Sequence, residues 1–492
     1  MAIERIDVDV TSPGRNFVTV VVTTTDGVVG LGDGTLNGRE LSVVSYLRDH
    51  VAPTLIGRDE SQIESIWQYL YRSPYWRRGP VTMAAVAAID MALWDIAAKK
   101  AVVPLYKLLG GASRTGLLSY AHASGTTVEK LNEAIHGYVE QGFRAVRIQS
   151  GVPGLDQIYG VHDSAPGGKY EYEPAGRTAS GAAMRPAEET WDTRAYLRHL
   201  PSVFAAVREE FGGDLRILHD GHHRMSPIEA ARLAKDIEPY DPFWLEDSTP
   251  GEDQAALRLV RHHSTTPLAI GEVFNSVFDY QTLITERLID YVRSSATHAG
   301  GITGLRQIMT FAGIYGIRSG FHGPTDVSPV GMAANLHLGL AIHNFGIQEY
   351  MPHSETILSV FRTSYRFEDG LLHPGETPGL GVDLDREAAA RFEYQPAYLP
   401  VNRLRDGTVH DWLPTTTGRE RSRIAPAPSS CGPGVAAPLT ARPDPPPRRA
   451  GTPPAPRRRA PPPSPRGRCR PAPRRRSRAR AGPPRPARPA AR

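Results

Sequence analysis

Ile217-Leu218-His219-Asp220, Phe243-Trp244-Leu245-Glu246 and Leu268-Ala269-Ile270-Gly271-Glu272 are three short apolar runs, each closed by a carboxylate. The closing residues stand 26 positions apart in both intervals, the length of one strand, a loop, a helix and a second loop. Apolar runs this short read as buried parallel strands. In a β/α barrel the C-terminal strand ends share one face, and that face carries the chemistry. Three carboxylates converging there are hard oxygen donors that suit Mg²⁺ and leave coordination positions for water and substrate. The stretch therefore predicts a barrel and a metal-dependent enzyme.

The alternation extends in both directions. Further apolar runs end near Arg147, Arg293, His322 and Glu349, with Leu118 to Ala121 as an additional candidate, and helical patterns such as Pro227 to Ile237, Asp253 to His262 and Leu305 to Tyr315 lie between. About eight strand ends argue for a closed barrel, expected over residues 116–400. Residues 150–190 interrupt the pattern with Gly, Pro, Ala and Tyr and little periodicity, as a lid or binding loop would. Upstream, residues 3–36 alternate as strands with turns at Ser12-Pro13-Gly14 and Thr25-Asp26-Gly27, and residues 40–110 are helical in pattern. A separate α+β capping domain over 1–115 is expected. Residues 401–414 form a C-terminal segment ending beyond Trp412.

The bulk charge conceals two halves. Residues 415–492 hold 20 Arg and 21 Pro against Glu420 and Asp444, a net of +18, which leaves 37 basic and 50 acidic residues, net −13, in 1–414. With few apolar side chains to bury, the tail reads as disordered. An arginine-rich arm would bind nucleic acid or another anionic surface non-specifically. The alternative is a frameshift or read-through near residue 415, because GC-rich DNA encodes Arg, Pro, Ala and Gly in almost any frame. Both cysteines, Cys431 and Cys469, lie in the tail, so disulfides and thiolate metal sites are excluded from the body, which fits a cytoplasmic setting. The N-terminus carries no secretory pattern. The most apolar stretch, Val81 to Ala98, contains Asp90 and Asp95 and reads as a buried or amphipathic helix rather than a membrane span.

The densest chemistry is His219-Asp220-Gly221-His222-His223-Arg224. His222, two residues beyond a ligand candidate, is placed to act as a general acid, although a lone histidine is more often structural. Arg293, His322, Asp326 and Glu349 add donors and acceptors at other strand ends, suited to a polyhydroxylated anion. No glycine-rich phosphate loop or dinucleotide fingerprint stands at a strand–helix junction.

Several blocks then converge on one family: Pro13-Gly14-Arg15-Asn16-Phe17, Thr35-Leu36-Asn37-Gly38-Arg39-Glu40, Tyr75-Trp76-Arg77-Arg78-Gly79-Pro80, Gly151-Val152-Pro153-Gly154, Asp220 to Arg224, His322-Gly323-Pro324-Thr325-Asp326 and Gln348-Glu349-Tyr350-Met351. Over residues 1–412 the chain resembles the mannonate dehydratase branch of the enolase superfamily. The resemblance implies an α+β N-terminal capping domain and a modified TIM barrel, (β/α)7β, with one Mg²⁺ held by Asp220, Glu246 and Glu272. It implies Arg147 and Tyr159 as the base and His222 as the acid. Asn37, His122, Glu272, Arg293, His322, Asp326 and Glu349 would meet the substrate, and Trp412 would close the pocket. It further implies a small sugar-acid substrate and a homo-oligomer, a tetramer or an octamer. Family members dehydrate D-mannonate, and some D-gluconate, to 2-keto-3-deoxy-D-gluconate.

The chemistry agrees with that assignment. A proton α to a carboxylate is barely acidic, and Mg²⁺ on the carboxylate offsets the charge that develops as it leaves. Many superfamily relatives use a Lys or His base. Here the second barrel strand reads Arg147-Ile148-Gln149, with no Lys, and the tyrosinate at Tyr159 beside Arg147 that the resemblance implies would take that place, delivered by the 150–190 segment. The alternatives are another acid-sugar dehydratase or an epimerase of the superfamily, or a weakly active or non-catalytic regulatory homologue. Pro324 marks a position that would separate efficient members from inefficient ones.

Overall fold

The computed structural model describes residues 1–155, 158, 161, 188–396 and 401–410. Tyr159, Trp412 and the Arg/Pro-rich tail lie outside the described residues.

The first third of the chain forms an antiparallel meander, β1 (Ile3–Thr11), β2 (Phe17–Thr24) and β3 (Val29–Asp33), backed by helices. The helix Pro80–Lys100 lies directly on β3. A Cβ on Gly32 would stand 1.7 Å from the carbonyl oxygen of Ala88, so only glycine lets strand and helix approach this closely. This helix is long and apolar enough to cross a membrane, but 78% of its apolar window is buried inside the protein. It is the core helix of the cap.

Its two aspartates explain why an apolar helix carries charge. Asp90 Oδ2 accepts from the backbone N–H of Thr303 at 2.9 Å, at the start of the helix Gly301–Ile314. Asp95 accepts from the N–H of Leu31 at 3.0 Å and of Leu380 at 2.8 Å, and pairs with Lys99 at 2.8 Å. From β3, Asp33 Oδ2 accepts from the N–H of Ser328, the N-cap of the helix Pro329–Ala341, at 2.9 Å. Cap carboxyl groups thus accept from N–H groups at the starts of two barrel helices, which have no partner within the helix.

The barrel runs β4 (Leu117–Gly125), β5 (Ala145–Ser150), then a short outlying strand β6 (Glu188–Trp191), then β7 (Arg216–Asp220), β8 (Trp244–Glu246), β9 (Leu268–Ile270), β10 (Tyr291–Val292), β11 (Arg318–Phe321) and β12 (Phe345–Glu349). Eight of these strands pair in parallel, and β12 closes onto β4 through Gln348↔Ser119 and Glu349↔Tyr120. Each of the first seven barrel strands is followed by a helix, and the eighth strand completes the ring, which is the (β/α)7β arrangement. Inside it Tyr120, Ala145, Leu218, Trp244, Ala269 and Ile347 pack into a buried apolar layer. This layer is the floor on which the polar residues above it rest.

Three expectations need adjustment. Arg147 does not end its strand, because β5 continues through Gln149 to Ser150. The barrel interior is polar at that level, so polar side chains do not terminate the ladder. Glu272 lies two residues past β9 rather than at its end. Gly271, at φ +128°, turns the chain there, and the Tyr280 hydroxyl beside it donates to the Gly271 and Arg293 carbonyls at 2.8 and 3.0 Å. Finally, the 150–190 segment ends in regular structure: β6 pairs in parallel with Val401–Leu404, Glu188↔Val401 through Trp191↔Leu404. A four-residue Glu-Glu-Thr-Trp strand whose partner is about 210 residues away gives no local signal.

Asp90 gives a test of the joint between cap and barrel. Burial pushes its carboxyl up from 3.8 to about 7, against the hydrogen bonds from Thr303. Below about pH 4 the folded and unfolded chains both hold this proton. Between pH 4 and 7 only the folded chain keeps it, so this term lowers stability as pH rises, and above pH 7 the loss is complete. Asp90→Asn does not titrate. Its stability relative to the wild type should rise by about 3 kcal/mol between pH 5 and 7.5 in urea denaturation, at roughly 1.4 kcal/mol per pH unit. A difference that does not change with pH would rule out the buried proton.

Candidate active site

The strand ends bring five carboxylates, Asp220, Glu246, Asp247, Glu272 and Glu349, around two guanidinium groups, Arg147 and Arg293. Register places the first pair: Asp220 on β7 stands opposite Glu246 on β8. Arg147 Nη1 donates to Asp220 Oδ2 at 2.8 Å and lies 3.8 Å from Glu246 Oε1, while its Nη2 donates to Gln149 Oε1 at 3.2 Å. Arg293 is fully buried (0% exposed) and bridges three carboxylates: Glu246 at 3.1 Å, Glu272 at 3.3 Å and Glu349 at 2.8 Å. Five acids against two cations in a desolvated space cannot all be ionised without further positive charge.

The proton affinities follow from that imbalance. Burial raises Glu246 well above the carboxylate range, more than Arg293 and Arg147 can offset. Burial and the neighbouring Asp220 push Asp247 up to about 7; burial, Asp247 and Asp220 push Glu272 up to about 8. Asp220 and Glu349 go the other way. Burial opposes their ionisation, but His222 and Arg147 hold Asp220 low, and Arg293 and His122 hold Glu349 low.

Three histidines border the cluster. His122 Nε2 meets Glu349 Oε1 at 2.5 Å and stacks on Tyr120 beneath it. His322 Nε2 lies 3.5 Å from Glu272. His222 turns back over Asp220: its N–H donates to Asp220 Oδ1 at 2.7 Å, and its Nε2 lies 3.3 Å from Oδ2. Burial pushes His122 down to about 4 and both His222 and His322 down to about 3. His222 and His223 both have left-handed backbones, φ 51° and 59°, which is uncommon outside glycine. The turn is fixed by Gly221 N–H to the Glu246 carbonyl at 2.8 Å and by His223 N–H to the Asp247 carbonyl at 2.5 Å.

Of the residues the sequence nominates, Asp220, Glu246, Glu272, Arg147, His222, Arg293, His122, His322 and Glu349 meet in this cluster. Asp326, half-buried, is an electrostatic neighbour of His322. Asn37 sits on the loop after β3, where Glu40 Oε1 accepts from the adjacent Gly38 N–H at 3.1 Å, and among the described residues no hydrogen bond joins it to the cluster. Tyr159 and Trp412 fall outside the described residues. Residues to which the sequence reading gave no role are Gln149, His223, Arg224 and Asp247. Each lies within two positions of a residue it did nominate, and period-2 alternation along β5 would have put Gln149 on the same face as Arg147.

The donor set fits a hard divalent cation. Glu246 is fully buried, yet neither of its oxygens accepts a hydrogen bond among the described residues; Arg293 Nε is 3.1 Å away but out of line. Among the described residues the ligand atoms that lie within 4.8 Å of one another belong to His223, Asp247 and Glu272, with Glu272 common to this set and the strand-end set. Asp220 and Glu246 lie 2.8 and 3.1 Å from the guanidinium groups of Arg147 and Arg293, which compete with a metal for the same oxygens.

Comparison with known proteins agrees with this geometry. Residues 7–110 match the mandelate racemase/muconate lactonizing enzyme N-terminal domain, and residues 130–389 match the enolase C-terminal domain-like family. A D-galactonate dehydratase family member from Pseudarthrobacter chlorophenolicus is 63% identical over 84% of this chain and 100% of its own length. A D-mannonate dehydratase from Sphingomonas sp. is 57% identical over 82% of this chain and 98% of its own. An enolase from Pantoea ananatis, solved with bound D-gluconate and Mg, superposes with a TM-score of 0.75 at 34% identity, covering 83% of this chain and 99% of that one. The two-part fold, the acidic barrel mouth and these relatives together make the chain a member of the mannonate and galactonate dehydratase family within the enolase superfamily, a sugar-acid dehydratase.

Proposed function

We propose that the chain is a Mg²⁺-dependent hydro-lyase that converts D-mannonate, and D-gluconate as a second substrate, to 2-keto-3-deoxy-D-gluconate and water. The observation that carries this reading is the set of buried carboxylates around Arg147 and Arg293 with His222 at its edge. Asp220, Glu246 and Glu272 would hold the cation, which supplies positive charge to the substrate carboxylate as the α-proton leaves. Arg293 Nη1 donates to no group among the described residues, so a buried donor is available for the anionic substrate. His122, His322, Asp326 and Glu349, with Asn37 from the cap, would orient the hydroxyl groups.

Tyr159, its phenol made more acidic by Arg147, would take the proton from C2. The C2–H electron pair becomes a C2–C3 double bond as the C3–O bond breaks. His222 gives its proton to the departing hydroxyl, which leaves as water, and the resulting enol becomes the ketone. The balance closes with no co-reactant.

A panel of hexonates incubated with the purified chain and assayed with semicarbazide should give a keto product from D-mannonate with Mg²⁺ and none with EDTA. Product from no hexonate would move the chain to the regulatory reading. The two proton transfers separate by mutation. Tyr159→Phe should abolish both dehydration and exchange of the α-proton with deuterium, a loss of about 10³-fold. His222→Asn should lose dehydration by a similar factor and keep the exchange. Exchange lost equally in both variants would reassign the base. Metal ligation is tested by calorimetry. Glu246→Gln should weaken Mg²⁺ binding by about 100-fold or more, whereas Asp247→Asn should weaken it by about 10-fold, as a supporting group would. The reverse order would move the cation toward His223 and Asp247.

A further inference from the structure

The turn that carries His222 runs through two consecutive left-handed residues, and the side chain at its end reaches back to hold it. Arg224 is 5% exposed, and its Nη2 lies 3.2 Å from His222 Nδ1. A guanidinium can only donate, so that ring nitrogen accepts in this contact. The ring's other nitrogen, Nε2, lies 3.3 Å from Asp220 Oδ2. The guanidinium is itself fixed. Its carbon lies 4.7 Å above the Trp191 ring, and the Arg224 carbonyl accepts from His410 Nε2 at 3.2 Å. Trp191 is 1% exposed and ends β6, paired with Leu404, while the His410 N–H donates to the Asn402 carbonyl at 2.9 Å. Arg224 is therefore clamped between the His222 turn and the two-stranded ribbon made by β6 and Val401–Leu404.

We propose that Arg224 is the positioning residue for His222, fixing the orientation of its ring, and that the β6 ribbon holds Arg224 for this purpose. The role given to His222 rests on the dehydratase reading; the contact does not. Lysine cannot reproduce a stacked planar fork, so an Arg→Lys change here is not conservative.

The test uses the full chain with Mg²⁺ and whichever hexonate the wild type dehydrates. Arg224→Ala should lower kcat by about 100-fold with KM within about threefold, as expected when a reacting group is misplaced by about 1 Å. Arg224→Lys should fall between Ala and the wild type. Guanidinium ion added at tens of millimolar should restore the Ala variant about 10-fold, because it refills the cation site beside Nδ1. Either variant keeping kcat within twofold would overturn the proposal. So would a loss in kcat and KM together that accompanies a lowered thermal midpoint and that guanidinium does not restore, since that is the pattern of a purely structural residue. A second measurement does not depend on turnover: diethyl pyrocarbonate modification of His222, followed by peptide mass spectrometry, should be several-fold faster in Arg224→Ala once Nδ1 is uncovered. If no hexonate is turned over by the wild type, the functional reading fails while this rate still decides the positioning claim, and an unchanged rate overturns it.

Discussion

Too little positive charge for the acids buried at its mouth is the constraint on which this barrel depends. Asp220, Glu246, Asp247, Glu272 and Glu349 are drawn together by strand register, and Arg147 and Arg293 neutralise only part of their charge. Each buried carboxylate either keeps a proton or keeps a cation close. The split is visible in the molecule: burial lifts Glu246 and Glu272, while Asp220 and Glu349 stay low because His222, Arg147, Arg293 and His122 face them. An acidic site of this kind is poised to take a divalent cation and an anionic substrate together. The floor of Tyr120, Leu218 and Trp244 excludes water from below and keeps these interactions strong.

The same chemistry joins cap to barrel at a distance from the site. Asp90 and Asp33 enter the N-terminal ends of the helices Gly301–Ile314 and Pro329–Ala341, and Asp95 ties the loop at Leu380 back to β3. These carboxylates sit on apolar elements, which is why Val81 to Ala98 is both membrane-like in composition and charged. Asp33, at the end of β3, also anchors the start of the loop that carries Asn37, its Oδ1 accepting from the Thr35 N–H at 2.9 Å.

Much of this was legible in the sequence because two periodicities are strong. The 26-residue spacing of Asp220, Glu246 and Glu272 located three strands and their facing ends, and the apolar runs near Arg147, Arg293, His322 and Glu349 located others. Boundaries were less legible where the backbone departs from regular geometry. Glu272 lies past its strand because Gly271 turns the chain, and Arg147 lies inside one because a polar barrel interior tolerates Gln149 and Ser150. The contacts of Arg224 with Trp191 and His410 join residues far apart in sequence, and no local pattern encodes them. The assignment of Tyr159 came from family resemblance alone.

The parallel pairing of β6 with Val401–Leu404 also bears on how the molecule is made. About 210 residues separate the two strands, a span comparable to that of β12 closing on β4. Contacts of this range form late, because a long loop must close before they are rewarded. During synthesis from the N-terminus, β6 waits without its partner until the chain has been extended past residue 404. The eight-stranded ring needs nothing beyond β12 and can close earlier. The barrel and the clamp beside His222 therefore mature in two stages, and the second belongs to the last part of the body to be translated.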